Sequence, residues 1–308
     1  MSKTESNHLG PYQRALLIRS TLLRVTRAFF HERDFLEVET PVRLKYPAPE
    51  PHIDAMASED HYLRTSPELH MKRLLAAGYE RLFQIGPCFR RGERGPYHQP
   101  EYTMLEWYRA HADYEDILCD TRDLFARIAD ALLGGKALVR GGRRIDLRGD
   151  WERLTVAEAY SRWAGWNPVT DYDPDRFDLD MADRIEPALG ALDAPVVLTD
   201  YPVESAALAR RKGTRPDVAE RWELYVGGME LANAYSELTD ADEQEARFIA
   251  CNRERRARGA ASYEPDPDYL AALRAGMPPS GGIALGVDRL VMLLAGADTL
   301  DGVLPFRE

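Results

Sequence analysis

Three stretches of this 308-residue chain combine residue types that do chemistry with the local pattern of strand, turn or helix start. In FQIGPCFRRGERGPYHQPEYTMLEWY, Phe83 to Tyr108, strand-like ends flank a loop dense in Gly, Pro and charge, which predicts an antiparallel pair with a mobile hairpin tip. Phe83, Ile85, Pro87 and Phe89 alternate with Gln84, Gly86, Cys88 and Arg90, so one face is apolar and the other is small or polar and ends in a cation. On the returning strand Tyr102, Met104, Glu106 and Tyr108 share a face. An acid between two tyrosines suits a pocket that stacks something flat and pairs something cationic, although a half-buried strand also carries a Glu at its rim with no ligand involved.

The second stretch is WELYVGGMELANAYSEL, where Gly227 and Gly228 between strand-like runs signal a tight hairpin. With Val226 opposite Met229, Tyr225 faces Glu230 and Glu223 faces Ala232, which sets Glu223 and Glu230 on one face roughly 7 to 8 Å apart. Like charges so placed repel unless a cation lies between them, and magnesium, which takes one or two carboxylates plus substrate phosphates, is the natural candidate. The plain alternative is a solvated hairpin face. Strict alternation puts Glu237 on the opposite face, so it joins the same pocket only if the strand breaks or bulges between Asn233 and Ser236.

The third is SGGIALGVDRLVMLLAG, in which Gly286 allows close backbone approach and a helix begins near Asp288. Arg289 falls in the first helical turn, where the macrodipole disfavours a cation, and a polyanion held between Arg289 and Arg90 would resolve that conflict. A smaller signal is TSPELHMKRLLAAG, with Ser66 as helix N-cap, Pro67 in the first helical position and Glu68 in the first turn; the helix dipole alone accounts for that acid.

The remaining elements position these stretches. Tyr12 to Arg33 has the spacing of a long amphipathic helix, followed by a strand over Phe35 to Thr40 that Pro41 stops or puts at a sheet edge. This pair packs on a sheet, or else lines a dimer contact. Leu44 to Pro51 reads as an extended connection, and Tyr114 to Leu133 as a helix ending at Gly134 and Gly135. Lys136 to Asp193 offers a short strand near Ile145, a helix capped by Thr155 and no chemistry. Pro195 to Tyr201 is an apolar strand. Thr239 with Asp242, or Asp240 with Glu243, opens a helix running to Gly259. Its Arg253, Arg255, Arg256 and Arg258 form the one basic patch, although such a run is more often a solvated helix face.

Composition narrows the classes. A hydrophobic fraction of 44% fills a sizeable core, and a net charge of −11 argues against a broad nucleic-acid surface while leaving a local basic patch open. Cys88, Cys119 and Cys251 are far apart and lack a CxxC spacing, so neither a disulfide framework nor a zinc site is indicated. With no apolar run of membrane length, the expectation is a soluble, cytoplasmic protein with no membrane partner.

Taken in order, FLEVETP, FRRGERGPYHQPEYTMLEWY and GIALGVDRL resemble motifs 1, 2 and 3 of a class II aminoacyl-tRNA synthetase catalytic domain of the lysyl-tRNA synthetase type. The resemblance covers nearly the whole chain and is weakest from Lys136 to Asp193. It implies an α+β fold, an antiparallel sheet flanked by helices, as a single catalytic domain over 1–308 that pairs as a homodimer through motif 1. Lysyl-tRNA synthetases carry an anticodon-binding domain ahead of motif 1, and only about a dozen residues precede the first helix here, too few for a domain. The chain therefore most resembles the stand-alone paralogues that attach (R)-β-lysine to a lysine of elongation factor P.

The resemblance implies ATP-dependent activation with magnesium. Arg90 would contact the α-phosphate and Arg289 the γ-phosphate, Tyr102 would stack on adenine, and Glu223 and Glu230 would hold the metal. Leu231 and Gly286 would join the nucleotide site. Glu106, Tyr108 and Glu237 would bind the distal ammonium of a lysine-like amino acid, and Ser66, Pro67 and Glu68 its other amino group. Two departures stand out. Arg91 and Gly92 follow Arg90 where the family usually has Asn and a Glu that touches adenine, leaving Glu93 or a backbone carbonyl for that contact; Gln99 stands where Asn is common. Ala284 stands where lysyl-tRNA synthetases tend to have Gly, and one methyl in a tight pocket shifts preference by roughly 1 to 3 kcal/mol. Elongation factor P is the implied acceptor. A truncated lysine–tRNA ligase and a non-catalytic amino-acid sensor are the alternatives; the acidic balance and missing domain disfavour tRNA, while acceptor-stem contact through Arg253 to Arg258 stays open.

Overall fold

Apolar periodicity sets the first element, and the computed structural model, which describes residues 10–307, forms it as read: helix α1 (Gln13–His31) buries Leu22, Phe29 and Phe30. Strand β1 is shorter than its sequence suggests. Only Leu36–Glu37 pairs, and in parallel with Leu82 and Phe83; by Thr40 the backbone has left the ladder and bonds the Gln84 side chain at 3.1 Å. Pro41, with no amide to donate, cannot extend the strand.

In chain order there follow α2 (Glu68–Ala76), β2 (Arg81–Phe89), β3 (Glu101–Ala110), α3 (Tyr114–Leu133), β4 (Glu152–Thr155), β5 (Val196–Pro202), β6 (Arg215–Val226), β7 (Met229–Ser236), α4 (Ala241–Ala257), α5 (Pro267–Gly276), β8 (Ser280–Gly286) and α6 (Val287–Ala295). The described residues build a nine-stranded sheet ordered β1-β2-β3-β8-β7-β6-β5-β4, with Arg211–Lys212 added beside β6. The centre is antiparallel as expected, whereas the outer pairs β1–β2 and β4–β5 are parallel. The fold is α+β, a sheet with helices on both faces.

Period-two alternation gives the sheet a dry face and a working face. Phe83, Leu105, Trp107, Ile283, Leu285, Ala234 and Trp222 point one way and form a core with Phe29 and Phe30 of α1, Leu124 and Phe125 of α3, and Val291 and Met292 of α6. The opposite face carries two cross-strand rows. One reads Gln84, Glu106, Ala284, Asn233, Glu223; the next reads Leu82, Tyr108, Gly282, Tyr235, Arg221. Helices α2, α4 and α5 roof one end of this face through Leu69, Leu75, Phe248, Tyr269 and Leu273.

Candidate active site

The β6–β7 hairpin turns at Gly227 (φ +59°) and Gly228 (φ +76°), left-handed values open to glycine, and Val226 pairs with Met229 as predicted. The register then changes. Tyr225 pairs with Glu230, but Leu224 pairs with Ala232 and Glu223 with Asn233, so Leu231 is an extra residue and Glu223 does not face Ala232. This bulge keeps Glu223 and Glu230 on the working face while Leu231 drops into the core, which leaves only its backbone for a nucleotide. From Ala232 to Ser236 the strand pairs regularly with β8. Glu237 therefore reaches the pocket without the break expected between Asn233 and Ser236, because the irregularity lies upstream.

At the roofed end, the Glu106 carboxylate accepts hydrogen bonds from Ser66 Oγ at 2.7 Å and Tyr108 OH at 2.8 Å. Helix α2 starts at Glu68, one residue later than read, with the buried Pro67 at the cap position; Ser66 Oγ still accepts from the Glu68 amide at 2.9 Å. Glu237 meets this group from the end of β7, its Oε2 2.5 Å from Lys72 Nζ. Lys72 also lies 2.5 Å from Glu68 Oε1 and has no exposed side-chain surface. Burial, reinforced by Glu68, pushes Glu106 up to about 8 despite its two hydroxyl donors. Burial pushes Glu237 up to about 7 against the pull of Lys72. Ala284 sits directly opposite Glu106. Beside it Gly282 has no room for a side chain: a Cβ would lie 2.2 Å from Glu237 Oε1 and 2.3 Å from Tyr108 Cε1.

At the other end, Arg90 leaves β2 with its guanidinium 5.2 Å from the Tyr102 ring centroid and Nη1 3.6 Å from Glu93 Oε1. Its Nε is buried with no hydrogen-bond partner among the described residues. The ring read as an adenine platform thus already has Arg90 on one face, and its hydroxyl donates to the Thr65 carbonyl at 2.9 Å. Arg289 Nη1 donates to the Glu230 carbonyl at 2.9 Å, and its guanidinium reaches His98 Nε2 at 2.7 Å and the Tyr97 carbonyl at 3.2 Å. The cation's conflict with the α6 dipole is met by Glu230 and by Asp288, which accepts from the Thr103 amide at 2.7 Å and pairs with Arg19.

The hairpin tip is anchored rather than free. Gln99 accepts from Arg307 Nε at 3.0 Å, and Arg307 Nη2 bonds the Gly95 carbonyl at 2.5 Å. Arg91 and Gly92 (φ +78°) stand exposed at the turn. Close approach falls at Gly281 and Gly282 and not at Gly286, where a Cβ would meet only Arg289 at 3.7 Å.

Sequence reasoning missed several groups here. Glu186, from the connection read as silent, is pushed up to about 7 by burial and by Glu230 and Glu223. Glu230 is itself raised by burial and Glu223, so three carboxylates share one repulsive field. Glu223 is the most committed, accepting from Tyr201 OH and Arg221 Nη2 at 2.5 Å and from Tyr225 OH at 2.7 Å. Among the described residues no group of three or more His, Cys, Asp and Glu is arranged to hold a metal by itself. The donor set fits an ion that keeps water and substrate oxygens in its shell, as magnesium does. Glu50, on the extended connection, is pushed up to about 7 by burial, offset by Arg90 and reinforced by Glu68 and Glu93. Lys72 had one sequence signal, its i,i+4 spacing from Glu68; Glu50 and Glu186 had none.

The basic patch is corrected. Arg255 is fully buried and bonds the Glu50 carbonyl at 2.6 Å, the Ile53 carbonyl at 2.9 Å and the Asp54 carboxylate. It clamps the connection that carries Glu50; Arg253, Arg256 and Arg258 remain at the surface.

Residues 9–308 match the family described as tRNA synthetases class II (D, K and N), and the chain belongs to that family. It is 37% identical to a lysine–tRNA ligase of Chromohalobacter salexigens over 96% of its own length and 63% of the relative's. A lysine–tRNA ligase of Pseudomonas fluorescens strain Pf-5 is likewise 37% identical, over 94% and 63%. It is 38% identical to the elongation factor P (R)-β-lysine ligase of Hamiltonella defensa, over 94% of both chains. The chain thus matches only about 63% of the length of the tRNA ligases and nearly all of the elongation-factor ligase. Among the described residues no helix is long and apolar enough to cross a membrane.

Proposed function

We propose that this protein is a ligase that activates a lysine-like amino acid with ATP and transfers it to a lysine side chain of elongation factor P. The observation that carries the reading is one sheet face with opposite chemistry at its ends: Glu68, Glu106 and Glu237 at one, Arg90 and Arg289 at the other. The carboxylates receive the ammonium groups of the amino acid; the arginines receive the triphosphate. The substrate carboxylate attacks the α-phosphorus and pyrophosphate leaves, then the acceptor amine attacks the acyl carbon and AMP leaves. In the first step the chain aligns reactants and offsets phosphate charge. Magnesium, met by Glu230 and Glu223, would supply further charge neutralisation on the phosphates.

Ala284 stands opposite Glu106 on the pocket floor, and its methyl group supports a preference for (R)-β-lysine over the α isomer. The near-complete overlap with an elongation-factor ligase supports the acceptor, and the exposed Leu16, Leu17, Leu36 and Val42 around motif 1 support a homodimer. The test is the intact mass of elongation factor P and the charging state of tRNA, after incubation with enzyme, ATP, magnesium and either lysine isomer. A one-residue mass gain on the protein, greater with β-lysine and lost in Arg289→Ala, is the expected result. Charged tRNA beside an unmodified factor would make the protein a lysine–tRNA ligase instead.

A further inference from the structure

With its three carboxylates ionised to receive a substrate, the roofed end of the working face holds more negative charge than a lysine-like amino acid can balance. Glu68, Glu106 and Glu237 converge there, whereas an amino acid with a side-chain amine brings two ammonium groups. The difference is made up inside the chain. Lys72 Nζ lies 2.5 Å from Glu68 Oε1 and 2.5 Å from Glu237 Oε2, with no part of its side chain exposed. Surface pairs of this kind are easily broken; removing a wholly buried ammonium from between two carboxylates leaves their charge uncompensated.

The geometry fixes what is left over. Glu237 sets Oε2 against Lys72 as an ion pair, and neither of its oxygens has a hydrogen-bond donor in good geometry among the described residues; Oε1 lies between Tyr108 and the bare backbone of Gly282. Glu68 also gives one oxygen to Lys72 and keeps the other. We propose that Lys72 is a positioning residue and built-in counter-ion: it cancels one of three carboxylate charges, ties Glu68 on α2 to Glu237 after β7, and so matches the pocket to an amino acid carrying two ammonium groups. This rests on the lysine-like substrate proposed above.

The electrostatics run the same way. Burial disfavours the Lys72 cation, but Glu237 and Glu68 outweigh it and hold its pKa well above the usual lysine value. In return Lys72 lowers Glu237, which burial and Glu68 raise. The other titratable groups facing the pair are Glu106 and Tyr108 from β3 and Tyr269 from α5. Without Lys72 the Glu237 carboxyl takes up a proton at higher pH and no longer offers a charged oxygen to an ammonium group.

The test is calorimetric binding of L-lysine, (R)-β-lysine and norleucine, and separately of ATP, across pH, for wild type, Lys72→Met, Glu237→Gln and the double variant. Lys72→Met is expected to weaken the better-bound lysine isomer by roughly tenfold or more and move its binding midpoint to higher pH, with ATP affinity within about twofold. Because Lys72 acts through Glu237, the double variant should bind within about threefold of Glu237→Gln alone. That comparison stands even if the single lysine variant fails to fold, since the double variant removes Lys72 together with its fully buried partner and leaves unpaired only Glu68, whose side chain is 15% exposed. Equal lysine binding and an unchanged pH midpoint in Lys72→Met, an equal loss for ATP, or a further large loss in the double variant would overturn the role of Lys72 alone. Binding of neither lysine isomer by wild type, or of norleucine equally well, would overturn the substrate reading and this inference with it.

Discussion

Gly282 lies directly beneath the Glu237 carboxylate: a Cβ built on it would stand 2.2 Å from Oε1. The floor of the pocket is therefore backbone, and its depth is set by the absence of a side chain on β8 two residues before Ala284. Adding one methyl there must move Glu237 or Tyr108, and overpacking of this kind costs about 1–3 kcal/mol. Gly282→Ala is expected to raise KM for the amino acid by about tenfold while KM for ATP stays within about twofold. Steady-state ATP–pyrophosphate exchange with each substrate varied measures both, and an equal rise in the two would mean a general loss of fold.

Glu106 and Glu237 give the free protein an unusual pH dependence. Their folded values, about 8 and about 7, lie above the ordinary 4.5, so between those limits the native state binds more protons than the unfolded chain. The stability they contribute is complete below about 4.5 and is lost as pH rises through 7 to 8. Chemical denaturation across pH 5 to 9 should show this fall, and Glu106→Gln should flatten it.

Amino-acid binding should run the opposite way, since an ammonium group needs the ionised carboxylates. Affinity for lysine is expected to increase from pH 6 to 8, with proton release on binding. Calorimetry in buffers of different ionisation enthalpy reads that release directly, and its absence would mean that Glu106 is already charged in the free protein.

Arg289 joins the Glu230 carbonyl, the His98 ring and the Tyr97 carbonyl, so it ties the hairpin tip to β7 and brings a cation beside Glu230. Removing one preorganised donor to a developing anion typically costs 10²- to 10³-fold in rate. Arg289→Ala should lose about that much kcat/KM in exchange, whereas lysine binding without ATP should be nearly unchanged.

Chelation of magnesium should abolish exchange reversibly. Glu230→Gln should raise the magnesium concentration needed for half-maximal rate, and Glu186→Gln should do so to a smaller degree, because its charge adds to the same field from outside the hairpin. A titration of rate against free magnesium distinguishes the two variants.

Arg255→Ala would leave the carbonyls of Glu50, Ile53 and Ala261 and the Asp54 carboxylate without their shared buried donor. Breaking such an arrangement costs about 3–5 kcal/mol. The urea midpoint should fall accordingly, whereas Arg253→Ala, at an exposed position, should leave it within about 0.5 kcal/mol.

The sequence by itself determined what local rules govern. The glycine pair at 227 and 228 forced a turn, the alternation in Phe83 to Phe89 and Tyr102 to Tyr108 assigned each side chain a face, and Gly134 ended α3 where a left-handed cap was needed. Those rules set Arg90, Glu106, Tyr108 and Glu230 on the polar faces of their strands, and the resemblance of the three motifs to a known family implied the α+β sheet. Tertiary structure decided whatever depends on register between strands or on contacts far apart in the chain. The bulge at Leu231 leaves no local signal in the hairpin, yet by shifting the count one residue it sends Leu231 into the core and Glu237 into the pocket. Arg255 lies in a run that reads as a solvated face, and only the fold of the connection around Glu50 to Asp54 turns it into a buried clamp. Lys72 looks like half of an ordinary i,i+4 helix pair until β7 delivers Glu237 to its other side, because the field at a buried charge is set by groups that meet only once the sheet has closed over them.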